Sequence, residues 1–206
     1  MSQFFQIHPQ SPQKRLISQS VRILKEQGLI VYPTDSGYAL GWLMAHKSPL
    51  ERVIKLRQLS NQHHFSLVCQ DLSQVAQYAF FDNAVFKLLK QHTPNPYTFI
   101  LKAKKDVPKR VQHPKKKSIG VRLPNHPICS ALLDELDQPL MSTSLIMPGA
   151  THPLADALEI RDLLERQVDL IIDAGLLSAE PTTVVNLCQA PYEINRIGGG
   201  DPDPFL

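Results

Sequence analysis

The sequence predicts an α/β domain built around one mixed sheet flanked by helices, and three observations carry that expectation. Apolar runs of strand length alternate along the chain with stretches at helical spacing that open on helix-capping residues. Leu29, Ile30, Val31 and Tyr32 are apolar without alternation, the pattern of a central strand covered on both faces. Strand-like runs also follow one another with only a turn between, as at 29–32 and 38–43, so the sheet takes antiparallel as well as parallel neighbours. With 206 residues and 43% hydrophobic composition the chain can build one substantial core, and residues 1–206 read as a single domain.

Taken in order, Ser11 and Pro12 read as an N-cap and first helical residue and Gly28 as the stop, with Leu16, Ile17, Val21, Ile23 and Leu24 as the buried stripe between them. Pro33 ends the central strand. Thr34, Asp35, Ser36 and Gly37 then set two hydroxyls, a carboxylate and a permissive glycine in a turn before the strand at 38–43. A polar turn at the end of a buried strand is where an open α/β sheet commonly takes a ligand. The same residues are ordinary turn formers, so local chemistry leaves both readings open. Ser48-Pro49-Leu50-Glu51 reads as a capping box starting a helix that delivers Lys55 and Arg57 near its end.

A strand at 64–69 follows, then helices capped by Asp71 and Asp82, the second stopped by Pro94 and Pro96. Strands at 97–101 and 118–123 bracket a basic segment. Pro127 opens a helix through Leu136, and the strand at 139–144 ends in the hydroxyl run Ser142-Thr143-Ser144. Asp156 with Glu159 caps a helix through Leu164, and strands at 170–173, 182–188 and 192–197 close the domain. Gly198-Gly199-Gly200 has no helix after it, so it is expected to be a flexible turn rather than a phosphate-binding loop.

Net charge is +3, but its distribution says more than its total. Lys102, Lys104, Lys105, Lys109, Arg110, Lys115, Lys116 and Lys117 stand against one acid, Asp106, so one basic patch sits on a mildly acidic body. Such a patch suits RNA, whose duplex form is contacted through phosphates and 2′-hydroxyls, and it reads equally as a solvated loop that keeps the protein soluble. No apolar run approaches the roughly 18 residues of a membrane span, and the start of the chain lacks a basic region leading into an apolar one. Cys69, Cys129 and Cys188 are odd in number and far apart, as in a reduced, cytoplasmic protein. No metal held by protein side chains is expected: His63 and His64 have no ligand-spaced carboxylate or thiol and read as a surface pair. What remains for chemistry is a set of cations and hydroxyls at element ends, suited to an anionic ligand such as a nucleotide polyphosphate or an amino-acid carboxylate.

Six stretches resemble the YrdC/YciO family in order and spacing, over nearly the whole chain. They are Tyr-Pro-Thr-Asp at 32–35, Lys-Leu-Arg at 55–57, Thr-Pro-Asn-Pro-Tyr-Thr-Phe-Ile at 93–100, Ile-Gly-Val-Arg-Leu-Pro-Asn-His-Pro at 119–127, Pro-Leu-Met-Ser-Thr-Ser at 139–144 and Pro-Thr-Thr-Val-Val-Asn-Leu at 181–187. The resemblance implies an open, twisted sheet with a positively charged concave face. Active members of the family make threonylcarbamoyl-AMP from L-threonine, bicarbonate and ATP, releasing pyrophosphate, for the modification of certain tRNAs, and some bind double-stranded RNA. By resemblance, Thr34, Arg122, Ser142 and Thr182 line a threonine site. Lys55, Arg57, Ser118, Ser144 and Arg196 meet ATP, which arrives with magnesium as a substrate, with Lys55 and Arg57 in the catalytic role. No tightly held cofactor is implied.

Three departures bear on activity. Gln58 stands where active members carry proline, in a slightly longer segment before Ser66; Ile146 stands where they carry asparagine; and Asn95 replaces a glycine. Isoleucine makes no hydrogen bond, so weak, altered or lost turnover is expected, and a non-catalytic RNA-binding protein that keeps the fold is the alternative.

Overall fold

In the computed structural model, which describes residues 1–60 and 63–206, all the strands join one mixed sheet. In chain order they are β1 (Gln3–Gln6), β2 (Ile30–Thr34), β3 (Gly37–Trp42), β4 (Ser66–Val68), β5 (Ala79–Phe80) and β6 (Tyr97–Ala103). β7 (Ser118–Arg122), β8 (Leu140–Ser144), β9 (Leu170–Asp173), β10 (Thr183–Asn186) and β11 (Glu193–Arg196) follow. Across the sheet the order is β1-β9-β2-β3-β8-β4-β7-β6-β10-β11, with β5 paired to β6. β2 pairs antiparallel with β3 and parallel with β9, so the expected mixed sheet is present.

Two helices, α1 (Lys14–Lys25) and α5 (Pro127–Leu136), pack on one face, where Val21, Leu24, Leu132 and Leu136 meet Ile30, Tyr32, Leu140 and Ile172. On the other face Trp42, Leu67, Phe99, Val121 and Met141 are buried with residues of α2 (Lys47–Arg57), α3 (Leu72–Tyr78), α4 (Asn83–His92) and α6 (Ala157–Leu164). Because side chains alternate along a strand, the face under α1 and α5 continues past them as Ser142, Ser66, Thr98 and Arg122. Among the described residues, that half of the face carries mostly polar side chains and no helix.

Asp71, Asp82 and Asp156 cap their helices as expected, accepting from the backbone N–H of Gln74, Val85 and Leu158 at 2.8, 2.9 and 2.8 Å. The two Ser-Pro starts are displaced. Gln13 precedes α1 and His46 precedes α2, neither with a side-chain cap, and Glu51 pairs with Lys47 at 3.3 Å instead of closing a box. Proline anywhere in the first turn loses no helical hydrogen bond, so Pro49 marks that turn without fixing its first residue. At the end of α1 it is Gln27 that turns left-handed, while the Gly28 N–H reaches Ile23 O at 2.8 Å, where a Cβ would sit 2.5 Å from the Ile23 side chain.

The triple glycine is not a flexible turn. Gly198 and Gly200 donate to Thr183 Oγ1 at 2.9 and 3.1 Å, and a Cβ on Gly198 would lie 1.9 Å from Pro181 O. β1 and β5 carry no strand signal of their own in the sequence. Among the described residues, no helix is long and apolar enough to cross a membrane.

Candidate anion-binding cavity

Strand register lays a row of residues across the bare half of the sheet. Gly41, Ser142, Ser66, Gly120 and Ile100 are successive cross-strand partners on β3, β8, β4, β7 and β6. The glycines keep the floor low, since a Cβ on Gly120 would stand 2.6 Å from Ser66 Oγ and one on Gly41 2.8 Å from the Tyr32 ring. Above this row lies a cavity of about 440 Å³, lined from β4, β6, β7, β8, β10, β11 and the end of α2.

Three guanidinium groups face it. Arg57 Nη1 donates to Thr143 Oγ1 at 3.1 Å and to the Ser144 carbonyl. Arg122, 3% exposed, makes a 2.6 Å ion pair with Asp35, whose other oxygen accepts from the Asn125 N–H at 3.0 Å. Arg196 donates through Nε to Thr182 O and through Nη2 to Thr182 Oγ1, both at 2.9 Å. Thr182 Oγ1 also lies 2.8 Å from Thr98 Oγ1, and either hydroxyl can donate in that pair, so the two threonines and Arg196 form one connected polar group at the cavity.

The electrostatics are those of an anion site. Asp35 offsets one of the three cations. Burial and then the nearby Arg196 push the Arg57 pKa down to about 10, and burial and then Arg122 lower that of Arg196. Among the described residues, the buried Nε–H groups of Arg57 and Arg122 have no hydrogen-bond partner. A buried unpaired donor is costly, and a phosphate or carboxylate oxygen would relieve both the missing bond and the repulsion.

Of the residues named from sequence, Arg57, Arg122, Ser142, Ser144, Thr182 and Arg196 line this one cavity. Thr34 does not. It is buried, donates to Gly37 O at 2.7 Å and accepts from the Ser36 N–H at 3.1 Å, holding the turn that carries Asp35. Ser118 lies behind His64, whose Nε2 is 3.3 Å from its Oγ. Lys55 is exposed and borders a separate hollow with Arg52, Leu56, Arg166 and Gln167, because residues two apart on a helix face different sides.

Cavity residues not anticipated are Ser60, His63, His64, Ser66, Thr98, Thr143, Ile100, Val184 and Asn195; Ser66 and Thr98 could have been found from the two-residue period of β4 and β6. His63 and His64 line the cavity instead of forming a surface pair, and for both the pKa is pushed down to about 4. For His63 the causes are burial, then Arg57, His64 and Arg196; for His64 they are burial, then His113 and Lys116. Gln58 adopts a left-handed conformation, φ 49°, at the end of α2. Proline cannot reach that φ, so the chain leaves the helix here by a route closed to a family member with proline at this position.

The basic segment is partly structural. Lys104 Nζ donates to Ala76 O and stands 5.2 Å from the Phe80 ring centroid, while Arg110 donates to Met44 O and Ala45 O at 2.9 and 3.0 Å. Lys102, Lys105, Lys109, Lys115, Lys116 and Lys117 are exposed.

Comparison with known proteins agrees with this architecture. A family model described as telomere recombination, covering Sua5, YciO and YrdC, matches residues 22–198. The chain is 52% identical to the protein YciO of Escherichia coli (strain K12) over 206 residues, covering 100% of both, and the E. coli YciO crystal structure superposes with a TM-score of 0.98 at 51% identity and full coverage. It is 29% identical to a threonylcarbamoyl-AMP synthase of Psychromonas ingrahamii over 82% of this chain and 90% of that one. P. abyssi Sua5 complexed with L-threonine shares the fold, with a TM-score of 0.87 at 20% identity over 95% of this chain and 57% of that one. The chain belongs to the Sua5/YciO/YrdC family.

Proposed function

We propose that the cavity binds ATP together with L-threonine and supports slow synthesis of threonylcarbamoyl-AMP. The observation that carries this reading is the convergence of Arg57, Arg122 and Arg196 on one cavity whose described lining holds no carboxylate, with Asp35 pairing Arg122 from beside it. Its support from relatives is a synthase of that name at 29% identity and a threonine complex of a protein with the same fold. The chemistry asks for no protein nucleophile. The threonine amine takes up bicarbonate as a carbamate with loss of water, the carbamate oxygen attacks the α-phosphorus, and the bond to the β-phosphate breaks to release pyrophosphate. Magnesium enters with the nucleotide. The protein's part is to hold the reactants together and neutralise charge, through the Arg57 and Arg196 donors and the Ser142 and Thr98 hydroxyls. Ile146, on the cavity wall where active relatives carry asparagine, removes a polar contact and slows the step. Pyrophosphate release that requires threonine, bicarbonate and ATP together tests the reading; release independent of threonine contradicts it.

RNA is the proposed macromolecular partner. Lys102, Lys105, Lys109 and Lys115 to Lys117 are exposed on the connection between β6 and β7, and Lys116 is close enough to act on His64 inside the cavity. Replacing Lys115, Lys116 and Lys117 with Gln is expected to flatten the slope of log affinity against log salt by about 2 to 3, at roughly 0.7 to 0.9 for each phosphate no longer neutralised. An unchanged slope removes this segment from the interface.

A further inference from the structure

We propose that His63 is a further ligand-contacting residue of the cavity, meeting a phosphate-class anion beside Arg57 and taking up a proton as that anion binds. The inference rests on the reading of the cavity as an anion site and adds to it a residue and a proton. His63 Nε2 lies 3.1 Å from Thr143 Oγ1, the hydroxyl to which Arg57 Nη1 donates, also at 3.1 Å. Imidazole and guanidinium thus converge on one hydroxyl at the cavity wall. The imidazole is held in place by Phe65, edge-on at 5.0 Å between centroids, which is itself buried edge-on against Trp42 at 5.5 Å.

The groups acting on His63 are Arg57 from α2, Arg196 from β11, Thr143 from β8, and His64 and Phe65 beside it in the chain. None is a carboxylate, and Asp35, the acid of the site, is engaged by Arg122 and the Asn125 N–H. In the empty cavity the ring is therefore neutral at pH 7, held so by burial and by cations. A tetrahedral dianion beside Arg57 reverses the sign of that field, and an imidazolium then becomes a second charged donor to it. His64 serves as an internal contrast: its Nε2 is turned to Ser118 Oγ, and its ring stacks on His113 at 4.4 Å, next to Lys116.

The test uses the full chain and inorganic sulfate, a tetrahedral dianion whose own charge is fixed from about pH 3.5 to 8. Imidazole resonances are followed by NMR across that range with and without saturating sulfate, the His63 signal being assigned by its loss in His63→Gln. A rise of one pH unit or more in the His63 midpoint on adding sulfate is expected, with a smaller change at His64. On the unsubstituted protein, sulfate affinity is expected to be about fourfold tighter at pH 5.5 than at pH 7.5, as linkage requires when the midpoint rises from about 4 to about 6. Sulfate that binds with Arg57-dependent affinity but leaves the His63 midpoint unmoved overturns this inference and leaves the anion site standing. Sulfate that does not bind overturns both.

Discussion

The Tyr32 hydroxyl, wholly buried in the middle of β2, donates to Ser142 Oγ at 2.7 Å and so fixes the rotamer of a cavity residue from the helix-covered part of the same sheet face. Burial raises the Tyr32 pKa far above its ordinary value, so it stays a donor at every relevant pH, and the Ser142 proton is left for a ligand. Tyr32→Phe removes that support without changing the shape of the core. It is expected to cost about 1 kcal/mol of stability in urea titration and to weaken cavity ligands about fivefold. Unchanged ligand affinity in a folded variant would show that Ser142 does not need the tyrosine.

The left-handed residue at the end of α2 sets a second expectation. Gln58 carries φ 49°, a conformation that costs a residue with a Cβ about 1 kcal/mol relative to glycine and that proline cannot adopt. Gln58→Gly is expected to stabilise slightly, and Gln58→Pro to destabilise by about 3 kcal/mol and to fail to restore activity. Full stability in the proline variant would mean that the helix end rearranges freely.

Ile146 gives the expectation most directly tied to turnover. An asparagine there would supply an amide donor and a carbonyl acceptor at the cavity wall, and one hydrogen bond to a charged group is worth about 1.5 to 3 kcal/mol, or roughly ten- to hundredfold in rate if made in the transition state. Ile146→Asn is expected to release pyrophosphate faster, with threonine and bicarbonate both required. A folded, ATP-binding variant that is no faster would place the lesion elsewhere in the site.

Acidification is expected to loosen the fold through His63. Its folded pKa, about 4, lies below the unfolded value of about 6.5, so the unfolded state binds the proton first. Stability is therefore full above about pH 6.5, falls as pH drops toward 4 and levels off below it. The His63 share is on the order of 1 to 2 kcal/mol, allowing for its partial exposure. Thermal melts of the parent and His63→Gln at pH 7 and 5 measure it; an equal loss in both proteins would assign the effect to other groups.

The central strands, the mixed sheet and most helix caps were legible because their signals are local: an unalternated apolar run at Leu29 to Tyr32, and Asp71, Asp82 and Asp156 each set before its helix. β1 was not legible, since Gln-Phe-Phe-Gln becomes a strand only by pairing with β9 far along the chain. The same distinction holds in the cavity. Arg57, Arg122, Ser142, Ser144 and Thr182 stood in motifs and Arg196 at the end of an expected strand, whereas His63 and His64 face inward because Phe65, next in the chain, is buried against Trp42 and leads into β4. Lys55 shares a motif with Arg57 but lies on a different side of α2.

Calorimetric titration with ATP and magnesium, on the parent and on Arg57→Ala and Arg196→Ala, tests the anion-binding cavity most directly. Saturable binding by the parent is expected, weakened about tenfold or more by each substitution, with the folded state intact by circular dichroism. ATP affinity that is the same in all three proteins would contradict the assignment of this cavity to the nucleotide.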